Sequence, residues 1–155
     1  LVLSTLHTNS AVETLTRLED MEVPPYLLAA CLLMVVAQRL VRRVCPDCAE
    51  PVTATDEDVV ALGLTEEQLA AARLQRGRGC PRCFQTGYRG RFAVYEILKI
   101  NRVIREMIRS RARADEILPV AREMGWRPLL EAGIDRALSG DTTLSEVRRV
   151  LYQVD

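Results

Sequence analysis

Residues 45–48 are Cys-Pro-Asp-Cys and residues 80–83 are Cys-Pro-Arg-Cys, so one four-residue pattern occurs twice, with 31 residues between its copies. Two residues between paired cysteines allow one tight turn to direct both sulfur atoms at the same ion, and two such pairs complete the tetrahedron that Zn²⁺ accepts. We therefore predict that Cys45, Cys48, Cys80 and Cys83 bind one structural zinc ion. Four protein ligands leave no coordination position open for catalysis.

Disulfide bonds and a redox-active dithiol are the alternative uses of these cysteines. Disulfides are typical of secreted proteins, and no secretory signal is visible in the chain. The segment between the pairs is longer than in common zinc ribbons, but the cost of closing a loop rises only logarithmically with its length. Arg42, Arg43 and Arg82 lie beside the cysteines in the sequence and can offset the negative charge of a zinc ion bound by four thiolates.

Composition indicates a folded domain of neutral net charge. The 155 residues include 21 basic and 21 acidic side chains, and 48% of the residues are apolar. Charge is unevenly distributed, because the charged side chains of residues 45–72 are all acidic whereas those of residues 73–113 are mainly arginine. This asymmetry indicates either surfaces that meet charged partners or ordinary solvated faces.

The hydrophobic pattern predicts a mixed α/β fold. Ser10 with Glu13, Thr65 with Gln68, and Thr143 with Glu146 are spaced as capping boxes at helix starts. The expected elements are a buried strand at 1–6, helices at 10–21 and 26–38, a strand at 39–44, two short helices between 53 and 74 broken at Gly63, a strand at 92–98, and helices at 103–108, 114–124, 128–138 and 144–152. Residues 26–37 are too few for a membrane span, which needs roughly 20 residues, so we expect a buried helix in which Cys31 is a small buried apolar residue.

His7 is the single histidine of the chain and follows the first predicted strand. The end of such a strand, before a capped helix, is where open α/β sheets gather ligand-binding groups, although a lone histidine is by default structural or simply exposed. A phosphate-binding loop needs glycines followed by Gly-Lys-Ser/Thr, and the single lysine, Lys99, lies between Leu98 and Ile100. The sequence therefore contains no such loop.

Several segments of the chain resemble the secretion ATPase family. They are Leu-Ser-Thr-Leu-His-Thr-Asn at 3–9, Thr-Arg-Leu at 16–18, Ala-Gln-Arg-Leu-Val-Arg-Arg at 37–43, Gly-Cys-Pro-Arg-Cys at 79–83, Thr-Gly-Tyr-Arg-Gly-Arg at 86–91 and Tyr-Glu at 95–96. The chain is similar to the C-terminal part of the type II secretion ATPase and of the type IV pilus assembly ATPase. Pilus retraction ATPases share the histidine region but generally lack the four-cysteine insert, so the cysteines indicate the assembly branch.

This resemblance implies an α/β fold with three parts. They are a C-terminal portion of a RecA-like P-loop ATPase core at 1–44, a four-cysteine zinc module with a helical insert at 45–90, and a strand followed by a C-terminal helical bundle at 91–155. It also implies that His7 belongs to a histidine box facing the phosphates of ATP, and that Arg17 senses nucleotide or a neighbouring subunit.

The same resemblance implies a cellular role for the full-length protein. It would use ATP and Mg²⁺ and act as a homo-hexamer that is cytoplasmic and peripheral to the inner membrane. There it would work with a membrane platform protein and other secretion or pilus components. The Walker motifs are expected upstream of Leu1, so we expect no hydrolysis by this chain alone. No nucleic-acid partner is expected.

Two other functions remain open from the residues themselves. A zinc-dependent nucleic-acid-binding module would explain the arginines between 73 and 113, although the neutral net charge and the few aromatic residues argue against it. A zinc-stabilised scaffold for protein interaction would need no link to nucleotides.

Overall fold

The computed structural model describes residues 1–152 and has a mixed α/β fold. Within these residues the elements are α1 (Ala11–Asp20), α2 (Pro25–Cys31), β1 (Met34–Val44), β2 (Ala49–Pro51), α3 (Asp56–Leu62), α4 (Glu66–Ala71), β3 (Gln75–Gly77), β4 (Tyr88–Lys99), α5 (Arg102–Arg109), α6 (Ala114–Glu123), α7 (Leu129–Leu138) and α8 (Leu144–Leu151). Strand β1 pairs with β4, and β2 pairs with β3. None of the described helices is long and apolar enough to cross a membrane.

The chain forms two compact units, each built from two separate stretches. Unit 1 combines Leu1–Ala37 with Tyr95–Pro128, and unit 2 combines Gln38–Val94 with the described residues from Leu129 onward. The predicted division into 1–44, 45–90 and 91–155 instead follows the order of the sequence and stays a prediction; its last three residues lie outside the described part. The C-terminal helices are shared between the units, because α5 and α6 belong to unit 1 and α7 and α8 to unit 2.

Unit 1 is held together by apolar faces of four helices. Helix α2 packs on α5, and α1 packs on α6. Its core contains Val12 and Leu15 of α1, Leu28 of α2, Ile104 and Ile108 of α5 and Ile117 of α6. Arg105 donates hydrogen bonds to the carbonyl oxygens of Ala29 and Leu32, at 2.9 and 3.4 Å. These bonds satisfy carbonyls that the end of α2 leaves without helical partners.

Unit 2 has a separate core beneath the segment that joins the cysteine pairs. Helix α3 packs on α8, α4 packs on α7, and α7 packs on α8. Buried members of this core are Val41, Leu62, Leu64, Leu74, Val94, Leu129, Ile134, Ala137, Leu144, Val147 and Leu151. The antiparallel β2–β3 pair sets Ala49 opposite Gly77 and Pro51 opposite Gln75. Because β2 begins directly after Cys48 and β3 ends shortly before Cys80, this register brings the two cysteine pairs together.

A buried carboxylate connects α8 to β1 within unit 2. Glu146 is 1% exposed. Its oxygens accept hydrogen bonds from the Arg42 amide at 3.1 Å, from Arg42 Nη2 at 2.6 Å, and from Arg149 Nε and Nη2 at 2.8 and 2.7 Å. Burial by itself raises the pKa of Glu146, but the hydrogen bonds from Arg149 and Arg42 outweigh it and hold the pKa at about 2.

Most of the predicted helices and strands are confirmed. Ser10, Thr65 and Thr143 each accept a hydrogen bond from a backbone amide three residues later, which is the expected capping contact. Thr55, which was not predicted as a cap, makes the same contact at the start of α3. Of the three predicted capping boxes, the one at Thr65 is complete, because the Thr65 amide donates to the Gln68 side chain. The predicted boxes at Ser10 and Thr143 are incomplete. Glu13 accepts a hydrogen bond from the Asn9 amide rather than from Ser10, and Glu146 accepts hydrogen bonds from Arg42 and Arg149.

The predicted strand at residues 1–6 and the predicted helix at 26–38 are wrong. Residues 1–6 are exposed and have no regular structure, and within residues 1–152 no strand pairs with them. A strand needs a neighbour to satisfy its backbone hydrogen bonds. The apolar helix ends at Cys31, and β1 begins at Met34 with burial that alternates at Val35 and Ala37. Such a short apolar run has no helical signature of its own, and pairing with β4 makes it a strand.

The prediction that Cys31 is buried is also wrong, because its side chain is exposed. Helix α2 has only seven residues, and its buried positions are Leu28 and Ala29. Cys31 is the last residue of this helix and lies off that buried face.

Replacing Glu146 with Gln is expected to lower the free energy of unfolding by about 1–3 kcal/mol at pH 7, because two guanidinium groups lose their buried charged partner. The folded-state pKa is below the unfolded value of about 4.3, so the stabilisation is present above that pH and is lost as the pH falls toward 2. Urea denaturation at pH 7 and pH 3 measures the effect. Glu66→Gln, on the exposed side of α4, is the control. A difference between Glu146→Gln and the unchanged chain that stays constant with pH would contradict this assignment.

Candidate metal centre

The four predicted cysteine ligands lie together in unit 2. Their sulfur atoms are all within 4.8 Å of one another. The Sγ atoms are 3.9 Å apart for Cys45 and Cys80, 3.9 Å for Cys48 and Cys83, and 3.7 Å for Cys80 and Cys83. A tetrahedral ion with metal–sulfur bonds of about 2.3 Å requires sulfur–sulfur separations of about 3.8 Å. The cluster therefore has the size that a four-thiolate metal site needs.

The same distances bear on the two alternatives for these cysteines. All four are free thiols, and their sulfur separations are far longer than the roughly 2.05 Å of a disulfide bond. Cys45, Cys48 and Cys83 are buried, and Cys80 is partly buried. A redox dithiol needs an accessible thiolate, so burial favours metal binding over thiol exchange as well.

Backbone amides prepare Cys83 for metal binding. A 3₁₀ turn at Pro81–Cys83 directs the Cys80 amide at Cys83 Sγ, at 3.2 Å, and the Gly87 amide approaches the same sulfur at 3.3 Å. Burial alone raises the pKa of the Cys83 thiol, but these amides outweigh it and hold the pKa at about 6. Burial raises the pKa of Cys48 to about 12. Because metal ligands are deprotonated, the amide hydrogen bonds to Cys83 Sγ favour the thiolate form that a metal needs.

A close contact between Gly77 and Gly87 shapes the centre. A Cβ atom on Gly77 would lie 2.0 Å from the carbonyl oxygen of Gly87, and one on Gly87 would lie 2.5 Å from that of Gly77. The Gly87 carbonyl also accepts a hydrogen bond from the Cys45 amide at 2.9 Å. The chain segments beside both cysteine pairs can therefore approach only because these two residues have no side chain.

The ionic surroundings of the cluster differ in part from the expectation. Arg82 and Arg89 both donate to the carboxylate of Asp47, at 2.8 and 2.7 Å. Arg42 and Arg43, which were expected to offset thiolate charge, form ion pairs with Glu146 and Asp141. Of the three predicted arginines, Arg82 is thus the one bound to the first cysteine turn, through Asp47. No sequence spacing signals the Asp47–Arg89 pair, whose members are 42 residues apart.

His7 and Arg17, the predicted nucleotide-facing residues, lie in unit 1. Both are exposed, His7 in a segment without regular structure and Arg17 on α1. The segment that follows His7 is fastened to α1 by hydrogen bonds between Thr8 and Thr14 at 2.8 Å and from the Asn9 amide to Glu13 at 3.0 Å. Glu96 of β4 accepts from the Ala11 amide at 2.7 Å and so holds the start of the same helix. The catalytic roles of His7 and Arg17 stay predictions.

Comparison with known families adds to this geometry. A family model described as type II/IV secretion system protein matches residues 1–149. The chain belongs to the type II/IV secretion system protein family. The family resemblance found in the sequence is thereby confirmed, and the match includes both cysteine pairs and the histidine segment.

Relatives within this family include pilus and secretion proteins. The type IV pilus assembly ATPase PilB of Thermus thermophilus is 46% identical over 147 residues, which are 95% of this chain and 16% of that protein. The type II secretion system protein E is 42% identical in Aeromonas hydrophila and 43% identical in Pseudomonas aeruginosa, each over 97% of this chain and 29% of the relative. The chain thus spans less than a third of the length of these relatives.

Gly77→Ala is expected to disrupt the metal centre, because the new methyl group would overlap backbone atoms of Gly87 that cannot move without displacing Cys45. The expected loss is about 3 kcal/mol or more in unfolding free energy, with a large drop in zinc affinity.

Gly63→Ala is the matched control for this substitution. Gly63 has a positive φ of 62°, but no atom lies within 4 Å of the position that a methyl group would take, so the same change should cost only about 1 kcal/mol. Denaturation and a competitive zinc-chelator titration measure both effects. Equal losses in the two variants would show that the Gly77–Gly87 contact does not constrain the centre.

Proposed function

We propose that this chain is the C-terminal part of a hexameric motor ATPase that powers type II secretion, by pseudopilus assembly, or type IV pilus assembly. The observation that carries the proposal is the match of almost the whole chain to proteins named for these two systems. The four-cysteine cluster supports it further, because the sequence resemblance links this insert with the assembly branch of the family.

The nucleotide chemistry belongs, in this proposal, to a RecA-like core shared with preceding sequence. The 155 residues contain no Gly-Lys-Ser/Thr phosphate loop, so the Walker motifs would be contributed from outside the chain and would hold ATP and Mg²⁺. His7 would contact the ATP phosphates, and Arg17 would stabilise phosphoryl charge or contact a neighbouring subunit. Histidine and arginine side chains both donate hydrogen bonds to phosphate oxygens, which suits these roles.

The metal, in this proposal, is zinc held by Cys45, Cys48, Cys80 and Cys83. Four thiolates in a tetrahedral arrangement suit zinc and leave no open coordination position, so the role is structural. Zinc would cross-link the two cysteine pairs. The Cys80 and Gly87 amides would orient the Cys83 thiolate toward it.

The assembled motor, as we propose it, is cytoplasmic and peripheral to the inner membrane. It would engage the membrane platform protein and other components of the secretion or pilus machinery. The names of the relatives support a place in one of these assemblies.

Zinc analysis of the purified chain is expected to give about one zinc ion per chain. Cys80→Ser should reduce zinc content and destabilise unit 2, including α7 and α8, because these helices share a core with the insert between the cysteine pairs. Hydrogen exchange resolved by peptide should increase in unit 2 and change little in α5 and α6 of unit 1. A uniform increase across both units would show that the metal stabilises the chain as a whole.

The nucleotide roles are tested by hydrolysis assays on the full-length gene product and on this chain. We expect no measurable turnover by residues 1–155 alone. In the full-length protein, His7→Ala and Arg17→Ala should each reduce kcat by about tenfold or more, as expected for residues that act on phosphoryl charge. Arg102→Ala, an exposed arginine of α5, is the control. Robust turnover by the chain alone would refute the assignment of the Walker motifs to preceding sequence.

A further inference from the structure

Phe84 in unit 2 has an unusual combination of exposure and backbone conformation. Its side chain is 88% exposed, and its φ of 52° lies in the left-handed region. The turn is fixed by hydrogen bonds from the Phe84 amide to the Pro81 carbonyl at 3.2 Å and from the Gln85 amide to the Cys80 carbonyl at 3.0 Å. A bulky residue in this region costs about 1 kcal/mol relative to glycine. Packing does not compensate this cost, because the ring is almost fully in solvent.

Six arginines flank this turn in the sequence. Residues 68–95 include Arg73, Arg76, Arg78, Arg82, Arg89 and Arg91 and no acidic side chain. Arg82 and Arg89 are held in place by Asp47. The Arg78 amide donates to the Cys48 carbonyl at 3.0 Å, which places this residue against the first cysteine turn. Arg78 is exposed, and within residues 1–152 its side chain forms no ion pair.

We propose that Phe84, Arg78, Arg82 and Arg89 form a docking surface, here called the knuckle surface, for an acidic segment of a partner protein. An apolar residue of that segment would cover the Phe84 ring, and its carboxylates would pair with the guanidinium groups. Aromatic residues and arginine are the side chains that most often dominate binding energy at interfaces. The Asp47 contacts hold the guanidinium groups of Arg82 and Arg89 in place before binding, which lowers the entropy cost of association.

An acidic protein segment fits this surface better than a nucleic acid does. Single strands bind by stacking successive bases on several aromatic rings. In unit 2 the ring of Tyr88 has Arg42 over it at 4.1 Å, and the ring of Phe92 has Arg43 and Arg136 over it at 5.1 and 5.7 Å.

Fluorescence anisotropy with the zinc-loaded chain tests the proposal. The probe is a fluorescein-labelled peptide rich in glutamate with one central leucine. The comparison probes are the same peptide with glutamine in place of glutamate and a single-stranded DNA oligonucleotide of equal length. We expect the acidic peptide to bind more tightly than either. Phe84→Gly should weaken its binding by about tenfold or more, and Arg78→Gln should weaken it by several-fold and reduce its salt dependence.

Phe84→Gly also separates binding from folding, because glycine relaxes the left-handed turn. Its thermal unfolding midpoint should be no lower than that of the unchanged chain, so weaker binding would not reflect misfolding. Arg102→Gln removes the same charge from unit 1 and should leave the affinity within about twofold. The proposal is overturned if the acidic peptide does not bind, if Phe84→Gly binds it unchanged, or if the glutamine peptide or the DNA binds as tightly. None of these outcomes bears on the ATPase assignment, which rests on other residues.

Discussion

The convergence of four sulfur atoms from two distant chain segments is the constraint on which unit 2 depends. Thiols that approach to 3.7–3.9 Å without bonding gain little from one another, and their burial raises the pKa of Cys45 and Cys48. A metal ion would resolve this conflict, because it would favour the thiolate form and bind all four sulfurs. The surrounding structure meets the geometric demand through the β2–β3 pair and the Gly77–Gly87 contact.

A second constraint, the ion-pair network of Glu146, connects the cysteine segments to the last helix. Glu146 binds Arg42, three residues before Cys45, and the Val44 amide donates to the Asp141 carbonyl at 3.0 Å. Tyr88, which follows Gly87 of the centre, shares a hydrogen bond of 2.7 Å with Thr143, the N-cap of α8. The strands that enter and leave the centre are therefore both fixed to the start of α8, which explains why this helix belongs to the same unit as the cysteines.

The acidic region at 45–72 and the arginine-rich region at 73–113 form different kinds of contact in the structure. Part of the acidic insert is neutralised, because Arg148 of α8 binds Glu57 and Asp58 of α3 at 2.6 and 3.0 Å. Near the second cysteine pair, Arg82 and Arg89 bind Asp47, Arg76 binds Glu50, and the side chain of Arg78 is exposed. Charge along the sequence thus indicated where ion pairs form, but each partner came from a residue far away in the chain, which no local pattern encodes.

The sequence by itself determined the four-cysteine cluster, several helix starts and the family. The turns at 45–48 and 80–83 are local, and so are the caps at Ser10, Thr65 and Thr143, because each is completed within a few residues. The meeting of the two cysteine pairs depends instead on the pairing of β2 with β3. Tertiary structure decided the rest. Whether residues 1–6 and 34–38 form strands depends on a neighbour for their backbone hydrogen bonds, and the exposure of Cys31 depends on where α2 ends. The burial of Glu146 and the Gly77–Gly87 contact likewise arise only when distant segments pack together. The free energy of the first depends on desolvation of a charge and that of the second on close packing, and local conformation fixes neither.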